Sequence, residues 1–448
     1  MSTTLPLMNE QKAGESMETW FAEQPVCKLE LELPAWYSEL QSQSWKQFLN
    51  SPDPTRRNQE WRFADLKKVR FTGLVAAQEV TGAEALIERA VSRRIKEFAA
   101  HFIFANNRLI HSEIVDLPDG VICLPINEAL AKHGDLVREH FLKEDKNLGG
   151  AKFAALHASA TLSGMFVHFP ANCVCEKLIL VQHFVGGDSN TIFPHTLIVA
   201  GDNASVSVMD TFKSIKDGEQ TLAVGMVDLD AKNGGKIQYV SLQDTSDAGA
   251  KHVQLNNTRV GRDAKVKSAF LNLGAAWVRN ESLNRMTDTG ADSQILSANL
   301  ANGIQEYDQR TLQSHEAEHT TSDLLFKNAI YDDARTIFSG LIHVHPGAHH
   351  TDSFQTCRNL LGSARAEANA MPGLEIDADQ VKCSHGSTSG QISDEEIFYL
   401  QARGIPAEDA RRMISLGFLN ESILRLDGEK LQQHLFDRVQ RKFATLDR

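Results

Sequence analysis

Several things are scarce in this chain of 448 residues. No apolar run approaches the roughly 20 residues that cross a bilayer, so no membrane-spanning helix is expected. The opening stretch "MSTTLPLMNEQKAGES" has neither a basic n-region nor an apolar h-region, so no secretion signal is expected and a cytoplasmic location follows. Six cysteines are too few for a disulfide scaffold, and a cytosolic chain would keep them reduced. Positive charge is short as well: 46 Lys and Arg stand against 58 Asp and Glu, for a net charge of −12. That is a poor basis for binding nucleic acid, where basic residues supply most of the affinity. A P-loop is missing too. Gly386 and Gly390 are four apart and followed by Gln391, where G-x-x-x-x-G-K-[ST] needs a lysine.

What is present is a globular composition, 42 % hydrophobic with a mean hydropathy of −0.29, and enough chain for about three domains. Residues 34–49 and 82–102 carry apolar side chains at helical spacing, and short apolar runs at 101–110 and 120–126 suit strands. Near residue 165 the texture changes. Short β-branched runs take over at 177–184, 195–200, 204–212, 236–243, 264–273 and 335–344. Turn signals punctuate them, including Asp202-Asn203, Gly234-Gly235, Arg262-Asp263, Gly290-Ala291, Asp332-Asp333 and Gly362-Ser363. Their separations lie near multiples of about fifteen, which suits stacked coils of a β-solenoid better than a sandwich with turns every 8–12 residues.

After Gly390 helical signals return. Ser393 and Glu396 stand at capping-box spacing, and Gly404 closes that segment. Pro406 opens a second helix that Gly417 is expected to end, with Asn420 capping a third; Leu431, Leu435, Val439 and Phe443 recur every four residues. The expectation is a mainly β chain with α: a helix-rich domain over 1–165, a parallel β-solenoid over 166–390 and a small helical domain over 391–448.

Chemistry-bearing residues concentrate in a few places. "VKCSHGSTSGQ" (381–391) sets Cys383 and His385 two apart, on one face if the segment is a strand. A thiolate and an imidazole suit zinc or iron, but two ligands are too few for a closed site. A polar turn with Cys383 buried is the plainer alternative. "HVHPGAHH" (343–350) and "SHEAEHTTSD" (314–323) are rich in histidine. His315 and His319 with Glu316 form H-E-x-E-H, a zincin-like string only on a helix, and the surrounding texture is β. Cys173 and Cys175 lack a second pair and read as free thiols. In "NQEWRFADL" (58–66), Trp61 and Phe63 are expected to pack while Arg62 snorkels.

Two long stretches, "SHEAEHTTSDLLFKNAIYDDARTIFSGLIHVHPGAHHTDSFQTCRNLL" (314–361) and "MPGLEIDADQVKCSHGSTSGQISDEEIFYLQARGI" (371–405), together with "NQEWRFADL", strongly resemble the SufB/SufD family, scaffold subunits of SUF iron–sulfur cluster assembly. "KCSHGST" is closer to the SufD branch, and "ANAMPGLEI" (368–376) lacks the cysteine that the SufB branch carries there. The resemblance implies a right-handed parallel β-helix between helical domains and a scaffold that is not an enzyme. It implies no cofactor stably bound to the chain alone, but a transient iron or iron–sulfur cluster at an interface with a SufB-like subunit. His385 would then be the candidate ligand and Cys383 a weaker one. It also implies a SufC-like ATPase on the C-terminal helices, with Ile397, Phe398, Leu400, Met413, Ile414 and Phe418 as candidate anchors. ATP binding by that ATPase would strain the scaffold and expose the interface ligands. Neither nucleic acid nor membrane is an expected partner, and the isolated chain could pair with itself through the same β-helix edge. The competing reading is an enzyme, a β-helix lyase or hydrolase or a metallohydrolase built on His315 and His319.

Overall fold

The computed structural model describes residues 20–26, 31–69, 71–144 and 148–446; the opening stretch read for a signal lies outside them. Two long parallel sheets dominate, and successive solenoid strands alternate between them. One sheet runs through Ser163–Phe169, Pro194–Ala200, Leu222–Ala231, Lys251–Val260, Trp277–Met286, Glu306–His315, Arg335–Val344 and Glu367–Ile376. The other runs through Leu178–Val185, Ser205–Ser214, Lys236–Asp244, Lys265–Asn272, Asp292–Ala301, Thr321–Ile330, Asp352–Leu361 and Lys382–Gln391. The chain therefore climbs a parallel β-solenoid of about eight turns.

Corner chemistry explains the regular climb. Asn172, Asn203, Gly234, Asp263, Gly290, His319, His350 and Gln380 all have positive φ, and they recur every 27–31 residues. Glycine adopts that region freely, and short polar residues tolerate it best among the rest. The N–H of Asn172 donates to the carbonyl of Asp202, that of Asn203 to Asn233, and that of Gly234 to Arg262, so one corner hands hydrogen bonds up the stack. The turn pairs at 202–203, 234–235, 262–263 and 290–291 mark this column.

Each sheet has an inner face, packed into the solenoid core, and an outer face. The N-terminal segment covers one outer face: Trp20, Phe48, Trp61, Phe71 and Phe153 pack on Val224, Leu255 and Trp277. The C-terminal helices cover the other, where Leu416, Leu419, Ile423, Leu431, Leu435, Val439 and Phe443 meet Leu242, Leu271, Leu296 and Leu325. Strands covered on both faces are buried almost throughout, as in Leu222–Ala231. No helix among the described residues is long and apolar enough to cross a membrane.

Several sequence expectations shift. The helical spacing of 82–102 yields a helix only over Ala83–Ser92. Phe98–Ala105 is a strand, buried throughout, and pairs in parallel with Leu178–Val185, so pairing outweighs the helical pattern. The first 165 residues thus contribute strands to both sheets. Gly417 does not end a helix: Ala407–Ile423 runs through it because Leu416, Leu419 and Ile423 form one stripe against the sheet. The last helix, Glu429–Leu446, starts after Gly428 rather than from an Asn420 cap.

Among the solenoid strands that escaped sequence reading are Leu222–Ala231, Lys251–Val260, Trp277–Met286, Asp292–Ala301, Glu306–His315, Thr321–Ile330 and Asp352–Leu361. Many of their side chains are buried and polar. Asn272 donates to Asn299 at 2.6 Å, Asn299 to Asn328 at 2.7 Å and Asn328 to Asn359 at 2.7 Å, an amide ladder that satisfies itself rung by rung. Alternation of apolar and polar residues does not flag a strand of this kind.

Candidate functional site

The solenoid ends without a cover. Glu367–Ile376 pairs only with Arg335–Val344, and Lys382–Gln391 only with Asp352–Leu361; among the described residues no strand lies beyond them. Both therefore present a row of unpaired backbone groups ten residues long.

Register fixes which side chains face the open end. Cys383 stands over Ser353, His385 over Gln355, Ser387 over Cys357 and Ser389 over Asn359. The four lower residues are all buried in the solenoid, and Asn359 donates to Ser389 Oγ at 3.1 Å. Cys383, His385, Ser387 and Ser389 thus form the top layer of an inward-facing column that no further rung covers. The period of two places Cys383 and His385 together, as the sequence suggested.

Cys383 packs beside Ile342 and Val344, while the His385 residue is exposed. Burial, and then the Asp352 carboxylate, push the Cys383 thiol up, so at neutral pH it is protonated and a poor metal ligand by itself. Gly386 and Gly390 add a second signal. Neither has positive φ, and a Cβ at either would meet nothing within 4 Å. Nothing inside the chain requires glycine there, and glycine in a strand marks a place where another backbone can approach closely.

The histidine-rich segments do not form a catalytic centre. His315 is buried with both ring nitrogens engaged, Nδ1 with Thr320 Oγ1 at 2.7 Å and Nε2 with Ser322 Oγ at 2.8 Å, and burial pushes its pKa down to about 3. His319 sits at the corner and stacks on His350 at 4.7 Å, while Glu316 is held by Arg285. H-E-x-E-H therefore never converges on one metal. His101, His111 and Glu113 do lie close together, but Arg94 bonds both His101 Nδ1 and Glu113 and supplies the cation. His343, Glu375 and Asp377 have their ligand atoms within 4.8 Å of one another on the surface beside the last rung. They are the one other group among the described residues arranged to hold a metal ion. Cys173 and Cys175 are free thiols, and burial raises both.

The C-terminal helices sort the six candidate anchors. Ile397 is 5 % exposed and packs with Leu400 and Ile414 in the small cluster that joins the first two helices. Phe418 lies on the solenoid under the Lys327 ammonium, 4.4 Å from the ring centroid. Phe398 and Met413 point to solvent, at 72 % and 51 % exposure. Sequence reasoning missed Tyr399 and Leu424, which are equally exposed; a helix of mixed polarity does not show which apolar residues its neighbours leave bare. Ser393 accepts from the N–H of Glu395, capping the helix Asp394–Gln401.

"NQEWRFADL" is structural. Trp61 is buried, donates to the Gly149 carbonyl and lies 3.8 Å from the Arg279 guanidinium carbon. Arg279 is itself buried, paired with Glu281 and with Asp308 at 2.6 Å. Phe63 is half-buried and Arg62 exposed.

The family model described as "SUF system FeS cluster assembly, SufBD core domain" matches residues 183–418. Among similar proteins, the iron–sulfur cluster assembly protein SufD of Bacillus subtilis is 25 % identical over 91 % of this chain and 94 % of its own. The protein of that name from Escherichia coli is 28 % identical over 89 % of this chain and 91 % of its own. An iron–sulfur cluster assembly SufBD family protein of Synechocystis is 26 % identical over 85 % and 86 %.

Proposed function

This chain belongs to the SufBD core family of the SUF iron–sulfur cluster assembly system, and on that premise we propose that it is a non-catalytic, cytoplasmic scaffold subunit that pairs through the open end of its solenoid with a SufB-like subunit. The observation that carries the reading is the uncovered last rung. Two ten-residue strand edges with glycines at 386 and 390 invite a second chain, because their unpaired backbone groups are a template for pairing.

Iron or an iron–sulfur cluster is cargo in this reading. The open end of the solenoid offers the exposed imidazole of His385, with the Cys383 thiol beside it, so the partner must supply most of the ligands. A SufC-like ATPase would dock on the C-terminal helices against Phe398, Tyr399, Met413 and Leu424, the apolar side chains those helices leave exposed. Among the described residues no converging nucleophile, base and orienting group accompanies the histidines, which disfavours the enzyme alternative.

The test is co-expression with SufB-like and SufC-like subunits, comparing wild type with His385→Ala after anaerobic purification. We expect the three-part complex to form equally well and the variant to carry much less iron and sulfide. Unchanged iron and sulfide would remove His385 from the ligand set. Failure of the complex to form at all, with the chain recovered as a homodimer, would overturn the heteromeric pairing.

A further inference from the structure

A strongly cationic cleft lies well away from the last rung, where three distant parts of the chain meet. It is a cavity of about 610 Å³ between the C-terminal end of the helix Ala83–Ser92, the ends of strands Ser205–Ser214 and Lys236–Asp244, and the last turns of Glu429–Leu446. Arg89 and Arg93 come from the first element, Lys213 from the second, and Arg438, Arg441 and Lys442 from the last. In a chain of net charge −12 this local reversal is not a by-product of composition.

The acidic groups in the cleft do not balance the bases. Asp244 is engaged by Arg438 and Asp247 by Lys442, and Asp217 lies near Arg89. Six basic groups face three carboxylates, an excess of three positive charges when Lys213 is protonated. Lys213 is the critical group. It is half-buried, no described residue accepts from its ammonium, and the charged groups acting on it are Arg438, Arg89, Arg93 and Arg441. Burial and those guanidinium groups push its pKa down to about 7. The neighbouring His434 is kept neutral chiefly by burial, with Lys213 and Arg441 adding to the effect and Asp437 opposing it, and its pKa falls to about 4. A partly desolvated ammonium surrounded by like charge is stabilised when an anion completes the set.

We propose that this cleft binds a phosphate-bearing polyvalent anion. A single carboxylate would leave most of the excess charge unmet, whereas a diphosphate or triphosphate matches it. Guanidinium forks such as those of Arg93 and Arg441 at the rim suit phosphate oxygens, with Lys213 as the deep point charge. The volume falls in the range of small-molecule sites. Free phosphate, pyrophosphate and the phosphate chain of a nucleotide share this chemistry.

The test uses the isolated full chain in a low-salt, phosphate-free buffer, titrated calorimetrically with inorganic phosphate, pyrophosphate and ATP. Pyrophosphate is expected to bind at one site and to weaken as salt is added. Lys213→Met and Arg441→Gln should each weaken it at least ten-fold. Lys213→Met should also raise the Tm of the ligand-free chain while abolishing the rise that pyrophosphate gives wild type, a pattern that a purely structural lysine would reverse. ATP binding far tighter than pyrophosphate assigns the site to a nucleotide; equal affinities assign it to free polyphosphate. No binding of any of the three at millimolar concentration, or variants that bind like wild type, would overturn the proposal.

Discussion

The rungs under the helices and the two rungs beyond them are made from one repeat, yet they are opposite kinds of surface. Leu222–Ala231 is buried on both faces, with the N-terminal aromatics outside it and the solenoid core within. Lys382–Gln391 has the same length and the same parallel pairing on one side, and nearly every residue in it is exposed. The repeat supplies the backbone ladder in both places, so the ladder does not decide what a rung does. Cover decides it. Covered rungs hold the fold together, and bare rungs hold side chains that the fold itself has no use for.

The largest break in that comparison should come from the covered rungs. Arg279→Ala leaves Glu281 buried without its cation and Asp308 with Arg310 alone, and chemical denaturation should show a loss of about 3–5 kcal/mol. Acid should act on the same region. His183 and His252 are buried, chiefly by desolvation their pKa values fall to about 3 and about 4, and the unfolded chain takes up their protons near the ordinary value. Their contribution is therefore whole above about pH 6.5 and declines as pH falls toward 4, on the order of 3 kcal/mol for each histidine. Urea midpoints at pH 7 and pH 5 should differ less in His252→Gln than in wild type; an equal difference would place the acid sensitivity elsewhere.

Smaller effects follow toward the open end. Asn328→Ala interrupts the amide ladder and strands its neighbours, for a loss of about 1–3 kcal/mol by thermal melting. Thr388→Lys on the last strand should change the stability of the isolated chain by less than about 0.5 kcal/mol while reducing recovery with a SufB-like partner. If Thr388→Lys destabilised the isolated chain as much as Asn328→Ala, the contrast between covered and bare rungs would fail.

Much of this architecture was legible in the residues. The corner column announced itself through Asn203, Gly234, Asp263 and Gly290, because few residues accept positive φ. Several strands with apolar interiors were visible through β-branched runs, though Leu222–Ala231 was not. Strands lined by Asn, Gln and Ser were not, since their hydrogen-bond partners lie a full rung away in sequence. Phe98–Phe102 looked helical because local spacing carries no word of the strand waiting at Leu178. The shared face of Cys383 and His385 follows from a period of two, but nothing local says that theirs is the last rung. The cationic cleft was invisible for the same reason: Arg89, Lys213 and Arg441 are near one another only after the chain has wound and returned.

The returning helix Glu429–Leu446 carries one more consequence. Asp427, just ahead of it, is held by Gln238 and Lys267 near the start of their strands, and Lys430 pairs with Glu97, just ahead of Phe98–Ala105. Arg438 and Lys442 pair with Asp244 and Asp247 at the far end of Lys236–Asp244, and Phe443 packs edge-on against Tyr331, just past Thr321–Ile330. The helix thus lies along the strands; at about 1.5 Å per residue its 18 residues span about 27 Å, close to the roughly 30 Å of a nine-residue strand. It is a gauge of rung width: lengthening the strands beneath it by one residue would throw its end contacts out of step unless about two helical residues came with it, so strand length and the length of this helix can change only together.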